Sequence, residues 1–405
     1  MRSGLILLAL AAAACGGQAG GSNAPAPAET WIGTWAASPQ RTEPANLPPA
    51  PGLGGSTLRQ VVRVSIGGER LRVRLSNAFG NGPLTVAAAH LAPGTAGTSA
   101  IDTAGGRALT FGGAPSTTLA AGASATSDAI DFPLRPMQEI AITLRFGDVP
   151  PDVTGHPGSR TTSYLQPGDA LTMAEMPDAA RTDHWYVIQG VDVAGDGRDG
   201  AVVTLGNSIT DGRGSGTNRN NRWPDELSRR LRADPRTAGI AVLNAGIGGN
   251  CVLRDCLGPA AVVRFGRDVL DAPGARWLIV LEGINDIGQA QGAEGADAVA
   301  RGLIEAYGEM IDRAHTRGIR VYGATLLPFG GSFYDAPERE AARQTVNAWI
   351  RSSSRFDAVI DLEAALRDPS APTHLRPEAD TGDHLHPNET GHRMIAEAID
   401  LALFH

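Results

Sequence analysis

Ser208 lies in Gly206-Asn207-Ser208, directly after the apolar run Ala201-Val202-Val203-Thr204-Leu205. Asn244-Ala245-Gly246-Ile247-Gly248-Gly249-Asn250 closes a second apolar run, and Glu282-Gly283-Ile284-Asn285-Asp286 a third. Asp383-His384-Leu385-His386-Pro387 follows near the end of the chain. Together these clusters hold the side chains that acyl transfer to serine requires. A serine hydroxyl is a poor nucleophile until a base takes its proton, and a histidine titrating near neutrality suits that task. The imidazole must present the right nitrogen, which a carboxylate on its other nitrogen ensures. Asp383 and His386, separated by two residues in one loop, can face each other across a tight turn. The developing oxyanion needs fixed donors. Candidates are the Ser208 N–H, a backbone N–H in the glycine-rich second cluster, and the Asn285 amide. His384 reads as a loop residue turned away from His386, and Asp211 and Asp286 read as structural hydrogen-bonders. Arg222 and Trp223 either line the site or start a helix in the core.

Residues so far apart must be gathered by the fold. From residue 201 the rhythm is strand, loop, helix, repeated. Strands are expected at Ala201–Leu205, Ile240–Asn244, Arg276–Leu281, Ile319–Leu326 and Ala358–Asp361. Helices are expected at Trp223–Ala233, Gly258–Leu270, Ala296–Arg317, Pro337–Ser353 and Asn388–Leu403. Pro224 suits a first helical turn and Gly318 a helix end. Five apolar strands alternating with helices argue for a parallel sheet covered on both faces, and such a sheet brings its carboxyl ends, with their polar clusters, to one edge.

The preceding region has period two. Val62, Val64 and Ile66 alternate with polar residues, as do Leu71, Val73 and Leu75, and the intervening Gly67-Gly68 predicts a hairpin turn. Ile140, Ile142, Leu144 and Phe146 repeat the pattern, and His184–Val193 reads as a further strand. An all-β sandwich is the economical architecture. The glycine and aspartate cluster Ala194–Gly200 marks the boundary. The expected division is a 1–15 signal peptide, a 16–30 tether, a 31–195 β-rich domain and a 196–405 α/β domain. The Trp31–Trp35 segment either closes over the catalytic edge or seals the sandwich.

The four clusters, in order, resemble the sequence blocks of the SGNH (GDSL-type) hydrolase family. Gly206-Asn207-Ser208 is similar to its nucleophile block, Gly249 falls on its oxyanion glycine, Gly283-Ile284-Asn285-Asp286 on its G-x-N-D block, and Asp383-His384-Leu385-His386 on its D-x-x-H block. Asn207 stands where that family has aspartate. Trp31-Ile32-Gly33-Thr34-Trp35-Ala36-Ala37-Ser38-Pro39 and Val280–Gly288 further resemble the arylesterase/acylhydrolase branch from bacterial xylan-degrading systems. The resemblance implies a flavodoxin-like three-layer α/β/α fold and metal-free ester hydrolysis with no cofactor. It implies Ser208, Asp383 and His386 as the triad, with Ser208, Gly249 and Asn285 as the oxyanion hole. It also implies a small-molecule or carbohydrate ester substrate, with aryl esters and acylated carbohydrate in view. An acyltransferase with the same triad, a lipase or lysophospholipase-type acylhydrolase and a non-catalytic carbohydrate-binding protein are the alternatives. No G-x-S-x-G occurs, which argues against an ordinary α/β-hydrolase elbow.

Arg2 and the apolar run Leu5–Ala14 read as an export signal too short to span a bilayer. Cys15 after Ala12-Ala13-Ala14 resembles a lipobox cysteine, although alanine holds the position of its usual leucine; the competing reading is an ordinary signal-peptidase site. The expected location is therefore periplasmic or outer-membrane through a lipid on Cys15, with secretion as the alternative. Gly16–Glu29 lacks the apolar period of a core and reads as a tether. In an oxidising compartment Cys251 and Cys256 are the natural disulfide pair. The formal charge of −8 offers no basic footprint for nucleic acid. The sequence leaves the oligomeric state open.

Overall fold

The computed structural model of the chain describes residues 1, 29–195 and 200–405. The expected signal segment, Cys15, nearly all of the tether and the centre of the Ala194–Gly200 boundary lie outside the described residues.

Residues 201–405 form a five-stranded, fully parallel sheet with strand order Ala241–Gly246, Ala201–Gly206, Ala275–Leu281, Arg320–Ala324, Ala358–Ile360. Numbered by appearance this is 2-1-3-4-5, the doubly wound flavodoxin-like order, whose switch point opens a crevice at the carboxyl ends of the central strands. The first strand is buried along its whole length, as a strand covered on both faces must be. Helices Trp223–Ala233, Gly292–His315, Pro337–Ser352 and Glu389–Glu397 cover the sheet. Trp223 is a buried core residue at the start of its helix. The last helix is shorter than its apolar pattern predicts: it ends at Glu397, and Asp400 caps a separate 3-10 turn over Leu401–Phe404 by accepting from the Ala402 N–H.

The described residues before it form three antiparallel sheets, of five, seven and three strands. The two larger ones contribute Leu71, Val73 and Val191 from one side, and Leu58, Ile140, Ile142 and Leu144 from the other, to one core cluster. One expectation fails here. The strands flanking Gly67-Gly68, Ser56–Arg63 and Gly68–Ser76, lie in different sheets, so the glycines make a corner between sheets instead of a hairpin. Gly67 suits this corner, since a Cβ there would lie 2.2 Å from the Leu134 carbonyl oxygen. The Ser56–Arg63 strand is also buried on both faces, because Arg59 runs under the Ser99 and Ala170–Met173 loops and donates to their carbonyls.

The Thr30–Ala36 strand ties the two regions together. It pairs antiparallel with Ile188–Gly195, and its other side meets the parallel sheet, where the Gly33 N–H donates to the Pro273 carbonyl at 2.9 Å. A Cβ at Gly33 would lie 2.9 Å from the Leu243 side chain. Trp35 packs edge-on against Trp185. This segment therefore seals the join between the sheets and does not roof the catalytic edge. One hydrophobic cluster runs through both regions, from Ile32 to Phe404.

Candidate active site

The nucleophile block folds as a strand–turn–helix. Gly206 ends the first strand of the parallel sheet, Asn207 caps the short helix Ser208–Asp211 by accepting from the Ile209 N–H at 3.1 Å, and Ser208 is its first residue. The turn is tight enough that a Cβ on Gly206 would lie 2.0 Å from the Thr210 hydroxyl. Ser208 is thus held at the mouth of the crevice with its side chain 9% exposed as a residue.

His386 arrives on the final loop. Its Nε2 lies 2.9 Å from Ser208 Oγ, and its Nδ1 lies 2.7 Å from Asp383 Oδ2. The other Asp383 oxygen accepts from the N–H groups of Leu385 and His386 and from the Thr381 hydroxyl, so the loop's own backbone fixes the carboxylate. Burial pushes the Asp383 carboxyl up, but the His386 ring and the N–H groups of His386 and Leu385 outweigh it and hold Asp383 far below the ordinary carboxylate range. Burial lowers the His386 pKa below its usual value, and Asp383 opposes this only in part. His384 adopts φ 60° and bonds Asp380 instead, at 2.7 Å.

Gly249 and Asn285 line the same cleft of about 370 Å³ as Ser208 and His386. Gly249 sits at φ 70°, a conformation that favours glycine. Asn285 is oriented from both ends: Nδ2 donates to the Asn250 carbonyl at 2.7 Å, and Oδ1 accepts from the Tyr334 hydroxyl at 3.0 Å. A second Nδ2 hydrogen remains for another acceptor. Asp286 accepts from the N–H groups of Val252 and Leu253 and so anchors the loop that carries the Cys251–Cys256 disulfide.

Several supports carry no motif of their own. Arg264, fully buried, donates to the Gly206 and Ala245 carbonyls and to Asn250 Oδ1, joining the nucleophile strand to the glycine-rich loop. His156, from the β-rich region, stacks on Trp185 and lies 2.9 Å from Asp211 Oδ1, while Asp211 Oδ2 accepts from the Gly248 N–H at 2.9 Å. This chain of contacts sets the position of the loop that carries Gly249. A repeated pattern could not reveal either residue, because their partners are distant in sequence. Arg222 turns away from the cleft and donates to the Ser159 carbonyl.

Asn207 has a physical counterpart in Glu282, which lies beside it. Burial pushes the Glu282 carboxyl well above its ordinary pKa, with Arg264 opposing the shift at 4.0 Å. An aspartate at position 207 would set a second carboxylate in this enclosed space, whereas asparagine caps the helix without adding charge.

Residues 204–394 match the GDSL-like Lipase/Acylhydrolase family. Among solved structures, Axe2, an acetylxylan esterase from Geobacillus stearothermophilus, is similar at 21% identity, with 49% of this chain and 91% of that chain covered and a TM-score of 0.38. A GDSL-like lipase from Bacteroides thetaiotaomicron VPI-5482 is similar at 21% identity, covering 50% of this chain and 87% of that one, with a TM-score of 0.36. No curated protein matches the sequence.

Proposed function

We propose that the carboxylic ester hydrolase indicated by the GDSL-like lipase/acylhydrolase match over residues 204–394 works through a Ser208–His386–Asp383 triad and an acyl-enzyme. The observation that carries this reading is the unbroken relay from Ser208 Oγ to His386 Nε2, and from His386 Nδ1 to Asp383 Oδ2. In the proposed reaction His386 takes the hydroxyl proton as Ser208 Oγ bonds to the ester carbonyl carbon. The tetrahedral oxyanion is held by the N–H groups of Ser208 and Gly249 and by the Asn285 amide. His386 then returns the proton to the alcohol oxygen as the ester C–O bond breaks. Water, deprotonated by the same imidazole, attacks the acyl carbon; the acyl–Oγ bond then breaks, His386 returns the proton to Ser208 Oγ, and the acid is released. Export, with or without a lipid on Cys15, belongs to the same proposal. Aryl esters and acylated carbohydrate are its substrate classes, to be separated by an ester panel that includes acetylated xylan.

Two expected results test parts of this scheme. Asn285→Ala should lower kcat by roughly 100- to 1000-fold, or about 2.7–4 kcal/mol, with KM little changed, since the amide bonds the oxyanion more strongly than the ground-state carbonyl. Steady-state kinetics on 4-nitrophenyl acetate measure it, and near-normal turnover would remove Asn285 from the oxyanion hole. The second concerns pH. His386 acts as base only when neutral, and its pKa lies below the ordinary imidazole value of about 6.5. The acid limb of kcat/KM should therefore fall below that value, with activity persisting into mildly acidic solution and vanishing as His386 protonates. A limb at or above the ordinary value would contradict this assignment of the base.

A further inference from the structure

The cleft beside Ser208 has a cationic wall that the proposed hydrolysis does not use. Arg160 comes from the β-rich region and Arg213 from the loop after the nucleophile helix, and both line the cleft with Ser208 and His386. Among the described residues neither guanidinium has a carboxylate oxygen within 4.0 Å, and Asp211 and Asp183 act on Arg160 only from farther away. The Arg160 Nε is buried without a hydrogen-bond partner, although an arginine donor shut away from water is costly to leave unpaired.

The backbone presents these side chains at a conformational cost. Arg160 is held at φ 51° and Asn218 opposite it at φ 64°, both left-handed without glycine. Asn218 clasps the segment: its N–H donates to the Arg160 carbonyl at 2.9 Å, and its side chain exchanges bonds with the Thr162 N–H and hydroxyl. Arg213 is anchored at the nucleophile itself, its N–H donating to the Ser208 carbonyl at 2.8 Å. The acids of the same cleft are already engaged. Glu43 accepts from Gln40 and Asn46, and Asp211 from the Gly248 N–H, with His156 against its other oxygen. The two guanidinium groups remain as the unpaired charged donors of the cleft.

We infer that Arg160 and Arg213 form an anion subsite that selects esters whose alcohol portion carries a carboxylate or a phosphate. This deepens the esterase reading above and rests on it. The alcohol side is assigned because His386 hands its proton to the departing alcohol oxygen, and both arginines lie close enough to His386 for their charges to disfavour its protonated form. Arginine forks match both anions, which are therefore interchangeable at the level of this geometry.

The test compares 4-acetoxyphenylacetate with its methyl ester on the full chain. The methylene insulates the reacting phenol from the carboxylate, so the two esters differ chiefly in the charge offered to the cleft. A phosphate-bearing acetate ester run alongside distinguishes which anion is preferred. The wild type should favour the anionic ester in kcat/KM by about tenfold or more, and the preference should shrink as salt is raised. Arg160→Gln and Arg213→Gln should each lower the anionic-to-neutral ratio several-fold, and Arg160→Lys should restore part of it. Arg213 is exposed, so its replacement tests the subsite without disturbing the clasp. Equal rates on both esters, or a preference that survives both glutamine substitutions, would overturn the subsite while leaving the esterase intact. Failure of the wild type to cleave any ester would instead strike at the hydrolase reading itself.

Discussion

Ser208→Ala should remove turnover of simple esters almost completely, by on the order of 10⁶-fold in kcat. The side chain is small and lies at the open end of a strand whose packing it does not support, so the variant should fold and keep its melting temperature. Incubated with 4-nitrophenyl acetate, the wild type should give a burst of nitrophenol and a transient mass increment of one acetyl group on the protein. The variant should give neither. The residue left by such a substitution is informative, because donors that still hold the oxyanion retain some acceleration over water. Undiminished turnover would show that the nucleophile lies elsewhere.

Asp383→Asn should lower kcat on the order of 10⁴-fold while leaving the fold in place. One carboxylate oxygen accepts from the backbone of Leu385 and His386, and an amide oxygen can do the same, so the loop survives. The other oxygen lies 2.7 Å from His386 Nδ1, where an amide would present an NH₂ group. Nδ1 would then accept, Nε2 would carry the proton, and the imidazole would face Ser208 as a donor unable to take the hydroxyl proton. Steady-state kinetics with a melting curve for each variant check this. A loss of less than about tenfold would mean that His386 keeps its working tautomer without Asp383.

The α/β architecture was legible because it is written in local periods. Apolar runs of five or six residues, each followed by a polar cluster, announce parallel strands ending at one edge, and the strand at Ala201–Gly206 was placed to within a residue. The residues brought to the cleft by those strands were legible for the same reason. Those that act across the chain were not. His156 meets Asp211 at a separation of 55 residues, and Tyr334 meets Asn285 at 49, with no motif around either. Gly67-Gly68 misled for a related reason. Paired glycines signal that the backbone needs room, and a hairpin and a corner between sheets both need it; which one forms depends on strand pairing distant in sequence. The final helix was overextended because the apolar period continues to Leu403, while the Asp400 cap that restarts the chain is a single residue.

The Thr30–Ala36 strand also has a kinetic meaning. Its hydrogen-bonding partner ends at Gly195, and the sheet that covers its other side includes Ala241–Gly246. A segment near the start of the chain therefore cannot complete either set of contacts until both regions are largely assembled, and loop-closure entropy weighs against its docking before then. Until it docks, the Ile188–Gly195 strand presents an open edge, the kind of surface on which unfinished chains pair with one another. Docking of this strand thus completes two sets of contacts at once, and the crowding at Gly33 sets how closely it must fit.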